Sequence, residues 1–307
     1  MNETTIPDLR FRLIFSVDQD KISLREFLSE QNISKRTLTA TKYEGGKLLV
    51  NGIERDVRHF LGRGDEVEIL FPLERISAGL IAEDGDLAIV YEDDAILILD
   101  KPPGQSTIPS QNHQSGTLAN FIAGKFIRES IPATIHVVTR LDHNTSGLVC
   151  IAKNRHVHHL FGTKLMKSTF RRQYTAIVEG HPEKNEFSLN GRIGRKDGSI
   201  IERIIREDGR EARTDVQVLN RITKDGQDLT RISLVLHTGR THQIRVHMQW
   251  AGHSIAGDDL YGGSQTLISR QALHCTLLEF NHPITGVKQI FRSRIANDMK
   301  RLLTEIL

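Results

Sequence analysis

This chain of 307 residues lacks the features of a disulfide-stapled, membrane-spanning or strongly charged protein. Its two cysteines, Cys150 and Cys275, cannot build a disulfide framework or, without histidine ligands, a zinc site. No apolar run approaches the roughly 18 residues of a spanning helix, and the first residues carry no basic segment followed by an apolar one. The formal net charge of +3 is too small to indicate nucleic-acid binding by itself. We therefore expect a soluble, cytoplasmic protein without a signal peptide.

The length of the chain and a change of pattern after its first quarter predict two domains. A strand pattern at Val67–Phe71 ends at Pro72, which has no N–H to donate to a neighbouring strand. An acidic turn follows at Glu83–Asp86, and a new strand pattern begins at Leu87. We place the boundary in this interval and expect domains at residues 1–79 and 80–307.

The first segment shows the patterns of two short helices and a hairpin. A helix is expected from Ser23 to Ser29, a second from the N-cap Ser34 to Lys42, and a strand at Lys47–Gly52 that enters an Asn-Gly turn. Over roughly residues 12–72 these features resemble the S-four-like RNA-binding domain, a small α/β-type domain first described in a small-subunit ribosomal protein. The resemblance implies RNA binding by the basic residues of this stretch, which are Lys35, Arg36, Lys42 and Lys47. A merely solvated helix face is the alternative.

The rest of the chain shows mainly strand patterns. They lie at Tyr174–Val178, Asp215–Leu219, Ile232–Leu236 and Gln243–His247, and a helical spacing of apolar residues runs from Arg155 to Lys167. We therefore predict an α+β fold, in which a mixed, strand-rich domain with a central, largely antiparallel sheet follows the small N-terminal domain.

An aspartate in a polar loop is the first candidate for chemistry. Asp142 is flanked by Arg140 and by the hydroxyls of Thr145 and Ser146, and the chain then enters an apolar strand. Such surroundings favour an ionised carboxylate, which can act as a nucleophile or a base. A simple turn rich in Asp, Asn, Ser and Gly is the alternative.

Three histidines at five-residue spacing, His237, His242 and His247, suggest a metal site. Two observations weigh against it. The interleaved Arg240 and Arg245 would bring positive charge near a cation, and along a strand the three side chains would alternate faces and could not converge. As a strand, the segment would instead turn a polar face, with Gln243, Arg245 and His247, toward a binding cleft.

Four blocks of sequence, in order, resemble the RluA/RluD-type pseudouridine synthase family, which acts on large-subunit ribosomal RNA and some transfer RNAs. The blocks run from Tyr91 to Gly104, from Arg140 to Leu148, from Arg172 to Gly180 and from Thr238 to Gly262. The resemblance covers about residues 87–295, and an S-four-like domain ahead of this region is a common arrangement in that family. Two residues depart from its usual pattern: Thr139 stands in place of His, and Asp100 in place of Asn.

The resemblance implies an isomerase that detaches uracil from its ribose, turns the base and rejoins it through carbon 5, with no cofactor and no metal. It assigns Asp142 as the catalytic carboxylate, Arg245 as its ion-pair partner, and Tyr174 as the residue that stacks on the target base and helps to remove the carbon-5 proton. Arg140 would contact the RNA backbone or fill the space left by the flipped uridine. Further phosphate contacts are expected from Lys164, Lys167, Arg171 and Arg172, with a merely solvated face as the alternative.

The implied partner is structured RNA, with ribosomal RNA preferred to transfer RNA, and the implied state is a monomer. Two alternatives from other classes stay open. One is a non-catalytic RNA-binding or ribosome-assembly factor, which would have no need of the Asp142 carboxylate. The other is a metal-dependent hydrolase built on the three histidines.

Overall fold

The structure, a computed structural model, describes residues 10–111, 113–163 and 168–303. Lys164 and Lys167, two of the predicted phosphate contacts, lie outside the described residues. Within the described part, apolar side chains form a core in the N-terminal segment, a second and larger core in the rest of the chain, and a small satellite cluster. None of the described helices is long and apolar enough to cross a membrane.

The N-terminal segment is built on a four-stranded antiparallel sheet with the strand order β1-β6-β3-β4 and a separate pair of β2 with β5. Its elements are β1 (Arg12–Ser16), β2 (Ile22–Ser23), α1 (Leu24–Glu30), α2 (Lys35–Tyr43), β3 (Lys47–Val50), β4 (Ile53–Glu54), β5 (Phe60–Leu61) and β6 (Glu66–Leu70).

Local sequence signals account for the elements of this segment. Ser23 caps α1 in a capping box with Glu26, and the Ser34 side chain caps α2. The hairpin of β3 and β4 turns through Asn51 and Gly52, whose φ angles of 49° and 77° suit an Asn-Gly turn. The two predicted helices and the predicted hairpin are confirmed.

The N-terminal segment contacts the rest of the chain through a short strip of residues. Phe71 stacks on the buried ring of His156 with 5.1 Å between ring centroids. Glu74 accepts a hydrogen bond from the backbone N–H of Arg155 and pairs with His136. The division at residues 79 and 80 stays a prediction, and these contacts show that residues just before it are integrated with the larger core.

The remaining chain forms a ten-stranded sheet whose main path is β12-β15-β16-β11-β17-β10-β8-β7, with β18 beside β17 and β9 beside β10. Its strands and the small β13–β14 hairpin are β7 (Ile89–Glu92), β8 (Ile96–Lys101), β9 (His136–Val137), β10 (Ser146–Ala152), β11 (Arg171–Glu179), β12 (Glu186–Asn190), β13 (Ile193–Arg195), β14 (Arg203–Ile205), β15 (Arg213–Lys224), β16 (Gln227–Leu236), β17 (Leu273–Asn281) and β18 (Lys288–Arg292). The described helices are α3 (Leu118–Arg128), α4 (Arg155–Phe161), α5 (Gln243–Trp250) and α6 (Asn297–Leu303).

All described pairs in this sheet are antiparallel except β10 with β17, which run parallel over a short register at Ser146 and Gly147. The prediction of an α+β fold with a largely antiparallel central sheet is confirmed. Gly147 has a φ of 109°, and a Cβ on it would come 2.4 Å from the carbonyl oxygen of Cys275. A glycine is therefore required where these two strands approach each other.

Two predictions of elements need correction. The segment Gln243–His247 is not a strand but the first part of helix α5, and Gln243 through Met248 are all buried. Because the whole stretch is buried, no side of it is exposed to solvent and the helical period is not visible in the sequence. The alternation of Ile244 and Val246 with polar residues is instead the pattern that predicts a strand. The helix predicted at 155–167 begins at Arg155 as expected but ends at Phe161, and residues 164–167 lie outside the described part.

Candidate active site

A cavity of about 490 Å³ opens where the loop before β10, the strand β11 and the start of α5 meet. Asp142, Tyr174, Arg245 and Arg140 all line it. Sequence reasoning selected these four residues from three separate stretches of chain, and the structure brings them together. The predicted phosphate contact Arg172 lines the same cavity, and Arg171 is an exposed residue at the start of β11.

The loop that carries Asp142 is held by hydrogen bonds on both sides of the aspartate. Thr107 donates from its hydroxyl to the Leu141 carbonyl at 2.9 Å and accepts from the Leu141 N–H at 3.1 Å. Arg270 donates to the carbonyl of Asn144 at 3.0 Å. Because the backbone is fixed on both sides, the Asp142 carboxylate has a defined position at the cavity wall.

The guanidinium of Arg245 links two carboxylates. Nε and Nη2 each donate to Asp258 at 2.7 Å, and Nη1 donates to Oδ2 of Asp142 at 3.3 Å. Asp258 is fully buried, whereas the Asp142 side chain keeps 29% of its surface exposed toward the cavity. Burial opposes the charged form, but the hydrogen bonds and charge of Asp258, together with the charge of Asp142, raise the pKa of Arg245 above its ordinary value. Arg245 is thus a fixed cation beside Asp142, held in place chiefly by Asp258.

Helix α5 explains how Arg245 reaches this position. His242 just before the helix and Arg245 in its first turn both line the cavity. Gln243 and His247, which are four residues apart and so share a helix face, both hydrogen-bond the hydroxyl of Thr214. The predicted cleft-facing set of Gln243, Arg245 and His247 is therefore wrong for His247, whereas Gln243 and Arg245 both line the cavity.

Tyr174 lies on β11 with its side chain almost wholly buried at the cavity floor. Burial, and then the neighbouring Cys275, raise the pKa of the Tyr174 phenol well above its ordinary value. The ring is therefore neutral at neutral pH, which favours stacking on a base and disfavours a phenolate as the proton acceptor.

Lys101 is a buried cation below the Asp142 loop that sequence reasoning did not select. It ends the buried strand β8, and its ammonium donates to the carbonyls of Pro102, Gln105 and His143 at 2.7 to 3.1 Å. Burial lowers the pKa of Lys101 to about 7, and the charge of Asp142 opposes this shift. Its position at the end of an apolar strand is the sequence signal that could have identified it, because a lysine in such a run needs internal partners.

The three histidines proposed as metal ligands have separate partners. His237 pairs with Asp215, His242 with the Tyr261 hydroxyl, and His247 with Thr214 and the carbonyl of Gly191. Among the residues that the structure describes, no group of three His, Cys, Asp or Glu side chains is placed to hold a metal ion. The strand argument used against a metal was wrong, because the segment from 243 to 247 is helical.

The remaining predicted RNA contacts lie on the surface. Lys35 and Arg36 are exposed in the first turn of α2, Lys42 in its last turn, and Lys47 at the start of β3. None of them forms an ion pair with another described residue. Arg140 is exposed at the rim of the cavity. The cluster in the N-terminal segment is thus free to meet an external anion, but it does not line the cavity.

The fold defines the class of protein. Over 69% of this chain and 86% of the other, the structure resembles the solved structure of human RNA Pseudouridylate Synthase Domain Containing 1, with a TM-score of 0.57 and 24% sequence identity. A second human structure, RNA Pseudouridylate Synthase Domain Containing 4, is similar over 71% of this chain and 94% of that one, with a TM-score of 0.53 and 20% identity. The chain therefore has the fold of these pseudouridylate synthase domains.

The sequence comparisons define the family. Residues 95–250 match the family model of RNA pseudouridylate synthase. An uncharacterized RNA pseudouridine synthase of Bacillus subtilis, YjbO, is 41% identical over 92% of this chain and 98% of its own length. Ribosomal large subunit pseudouridine synthase D of Pseudomonas aeruginosa is 33% identical over 88% of this chain and 87% of its own. The chain belongs to the RNA pseudouridine synthase family, of the RluA/RluD type, and is an isomerase.

Proposed function

We propose that this enzyme isomerises specific uridines of large-subunit ribosomal RNA, as a monomer in the cytoplasm. Support for the substrate comes from relatives such as the Pseudomonas aeruginosa enzyme, whose name states that it modifies the large ribosomal subunit. Similarity extends over 92% and 88% of this chain, which leaves room for at most part of the N-terminal segment outside the match. Transfer RNA is the second candidate substrate.

The observation that carries the proposed chemistry is the contact between Asp142 and the fixed cation Arg245 in one cavity with the neutral ring of Tyr174. The reaction breaks the bond from N1 of uracil to the ribose, turns the base, and forms a bond from carbon 5 to the same ribose carbon. Carbon 5 loses its proton to water and N1 takes up a proton from water, so the product is an isomer of the substrate. Nothing is oxidised or reduced. The Asp142 carboxylate acts either as a nucleophile or as the base that removes a ribose proton.

The roles of the other residues follow from their positions. Tyr174, on the cavity floor, stacks on the flipped uracil. Arg140, exposed at the rim, contacts the RNA backbone or fills the space that the flipped uridine leaves. The basic cluster of the N-terminal segment, Lys35, Arg36, Lys42 and Lys47, binds phosphates away from the reacting base.

Release of tritium from RNA labelled at carbon 5 of uridine tests this proposal. Asp142→Asn keeps the shape of the side chain but removes its charge, so we expect it to abolish tritium release while RNA binding and thermal unfolding stay near wild type. Asp86→Asn, at an exposed aspartate of the acidic turn, is the matched control and should release tritium at the wild-type rate. Substantial turnover by Asp142→Asn would show that another group carries the reaction. A wild type that binds RNA without turnover would favour the non-catalytic binding factor.

A further inference from the structure

His242 has a constrained geometry at the wall of the active-site cavity. It precedes α5 with a φ of 56° and a ψ of 21°, a left-handed conformation that residues with a Cβ seldom adopt. Its side chain makes no capping hydrogen bond to the helix. The start of α5 therefore does not need this imidazole, which instead reaches Tyr261 on one side and the cavity on the other.

Tyr261 determines which imidazole nitrogen of His242 carries the proton. The Tyr261 hydroxyl is buried, accepts a hydrogen bond from the backbone N–H of Arg203 at 2.9 Å, and lies 2.9 Å from Nδ1 of His242. A backbone N–H can only donate, and a buried hydroxyl proton needs an acceptor, so the hydroxyl donates to Nδ1. The remaining proton of a neutral His242 is then on Nε2.

The neutral form of His242 is the one that its surroundings favour. Burial lowers the pKa of its imidazole; the charges of Asp142 and Asp258 act in the opposite direction, and those of Arg245 and Arg203 reinforce the shift. In the described part of the chain, Nε2 has no protein acceptor within hydrogen-bond distance. A neutral N–H of fixed direction therefore remains available to a molecule in the cavity.

We propose that His242 is a substrate-binding residue whose Nε2–H donates a hydrogen bond to a carbonyl oxygen of the uracil. This inference rests on the proposed function, because it requires a flipped uridine in this cavity. A neutral donor suits a neutral carbonyl, whereas an imidazolium would compete with Arg245 for the Asp142 carboxylate. Rotation of uracil about its N3–C6 axis exchanges N1 with carbon 5 and also exchanges the two carbonyls. One fixed donor can therefore hold a carbonyl of the base before and after the turn.

Two variants separate this role from a purely structural one. Asn fits the left-handed backbone at position 242, but its amide is too short to place an N–H where Nε2 lies. Gln is one bond longer, and its amide N–H can approach that place. We expect His242→Asn to lower kcat/KM on unmodified RNA about tenfold and His242→Gln to retain more activity. His181→Asn, at a histidine outside the cavity, should match the wild type, and thermal unfolding of each variant checks its fold.

The decisive measurement compares the wild type with these variants on labelled RNA whose target uridine carries oxygen or sulfur at position 2 or at position 4. Sulfur is a weak hydrogen-bond acceptor, so it weakens any bond that the carbonyl oxygen accepts. At least one sulfur substitution should slow the wild type about three- to tenfold more than it slows His242→Asn. If both substitutions slow the two proteins by equal factors, His242 does not donate to a carbonyl and the inference is wrong. Absence of wild-type turnover on unmodified RNA would instead contradict the proposed function, and the inference with it.

Discussion

Three charged residues in contact at the active site, Asp142, Arg245 and Asp258, differ in burial and therefore in role. Asp258 has no exposed surface and takes two of the Arg245 nitrogens, which leaves one nitrogen for the partly exposed Asp142. A buried guanidinium that lost its inner partner would be an uncompensated charge. Asp258 is therefore a positioning residue: it holds the cation that faces the catalytic carboxylate, and it acts on the substrate only through Arg245.

Replacement of Asp258 by Asn should lower both stability and activity. We expect a loss of about 3–5 kcal/mol in the free energy of unfolding, because one partner of a buried ion pair is removed. Single-turnover tritium release should slow as well, with a smaller change in RNA affinity. Urea unfolding and rapid-quench kinetics measure the two effects. The exposed neighbour Asp259 provides the matched control, Asp259→Asn, which should change neither. A fully active Asp258→Asn enzyme would contradict the positioning role.

At this scale, prediction from sequence selected residues that belong to recognisable motifs. Asp142, Tyr174 and Arg245 were selected in this way, and the structure places them in one cavity. The partners that hold them were not assigned, because Asp258 and Lys101 act through contacts that depend on the fold. Local spacing carries no information on which buried carboxylate faces which guanidinium.

At the scale of elements, the turn between β7 and β8 depends on an ionised carboxylate. Asp93 accepts hydrogen bonds at 2.8 Å from the Tyr91 hydroxyl and from the backbone N–H groups of Ala95 and Ile96. Burial would raise the pKa of Asp93, but the close contact with the His282 ring and the hydrogen bonds from Ile96, Tyr91 and Ala95 outweigh it and lower the pKa well below the ordinary value. A carboxyl with a depressed pKa in the folded state stabilises the fold at pH values above its unfolded pKa, and this contribution falls as the pH drops below it.

Asp93→Asn should therefore destabilise the protein by about 1–2 kcal/mol at pH 7, where the lost hydrogen bonds are those of a charged acceptor. The difference from wild type should shrink as the pH falls below about 4, because the unfolded wild-type chain then binds a proton at this carboxyl that the folded protein does not bind. Chemical unfolding at a series of pH values measures it. Asp94→Asn, at the exposed next residue, should show no such dependence. A difference that stays constant down to the acid limit would contradict this account of the turn.

Sequence patterns predicted the elements whose signals come from neighbouring residues. They failed for an element that is buried on all sides, because the sequence then shows no contrast between an exposed and a buried face. Ser23 and Ser34 identify two helix starts because capping depends on neighbours in the chain. Helix α5 was predicted as a strand because all its residues from Gln243 to Met248 are buried. His242, just before this helix, has a left-handed conformation that redirects the chain. The presence of a histidine at this position does not predict that conformation.

At the scale of the whole molecule, the basic cluster of the N-terminal segment and the cavity are separate sites on one chain. Lys35, Arg36, Lys42 and Lys47 are exposed, and none of the four lines the cavity. We therefore expect the cluster to contribute affinity and the cavity to contribute chemistry. The order of the ten strands, which brings β11 beside β17 and α5 beside the Asp142 loop, could not be predicted from the sequence, because it depends on long-range pairing.

Replacing all four cluster residues by Gln should weaken RNA binding and flatten its salt dependence. Each phosphate contact contributes about 0.7–0.9 to the slope of log affinity against log salt, so we expect a decrease equal to two to four contacts. Single-turnover rates at saturating RNA should change little. The matched control replaces four other exposed cations of the same segment by Gln: Lys21, Arg25, Arg55 and Arg58. An equal decrease in the control would show that the cluster has no special role.

The most direct test of the central claim is a map of carbodiimide-reactive pseudouridines in total RNA from cells that lack this protein. We predict that one or more pseudouridines of large-subunit ribosomal RNA disappear, that wild-type protein restores them, and that Asp142→Asn does not. An unchanged map of large-subunit RNA, or restoration by Asp142→Asn, would contradict the account.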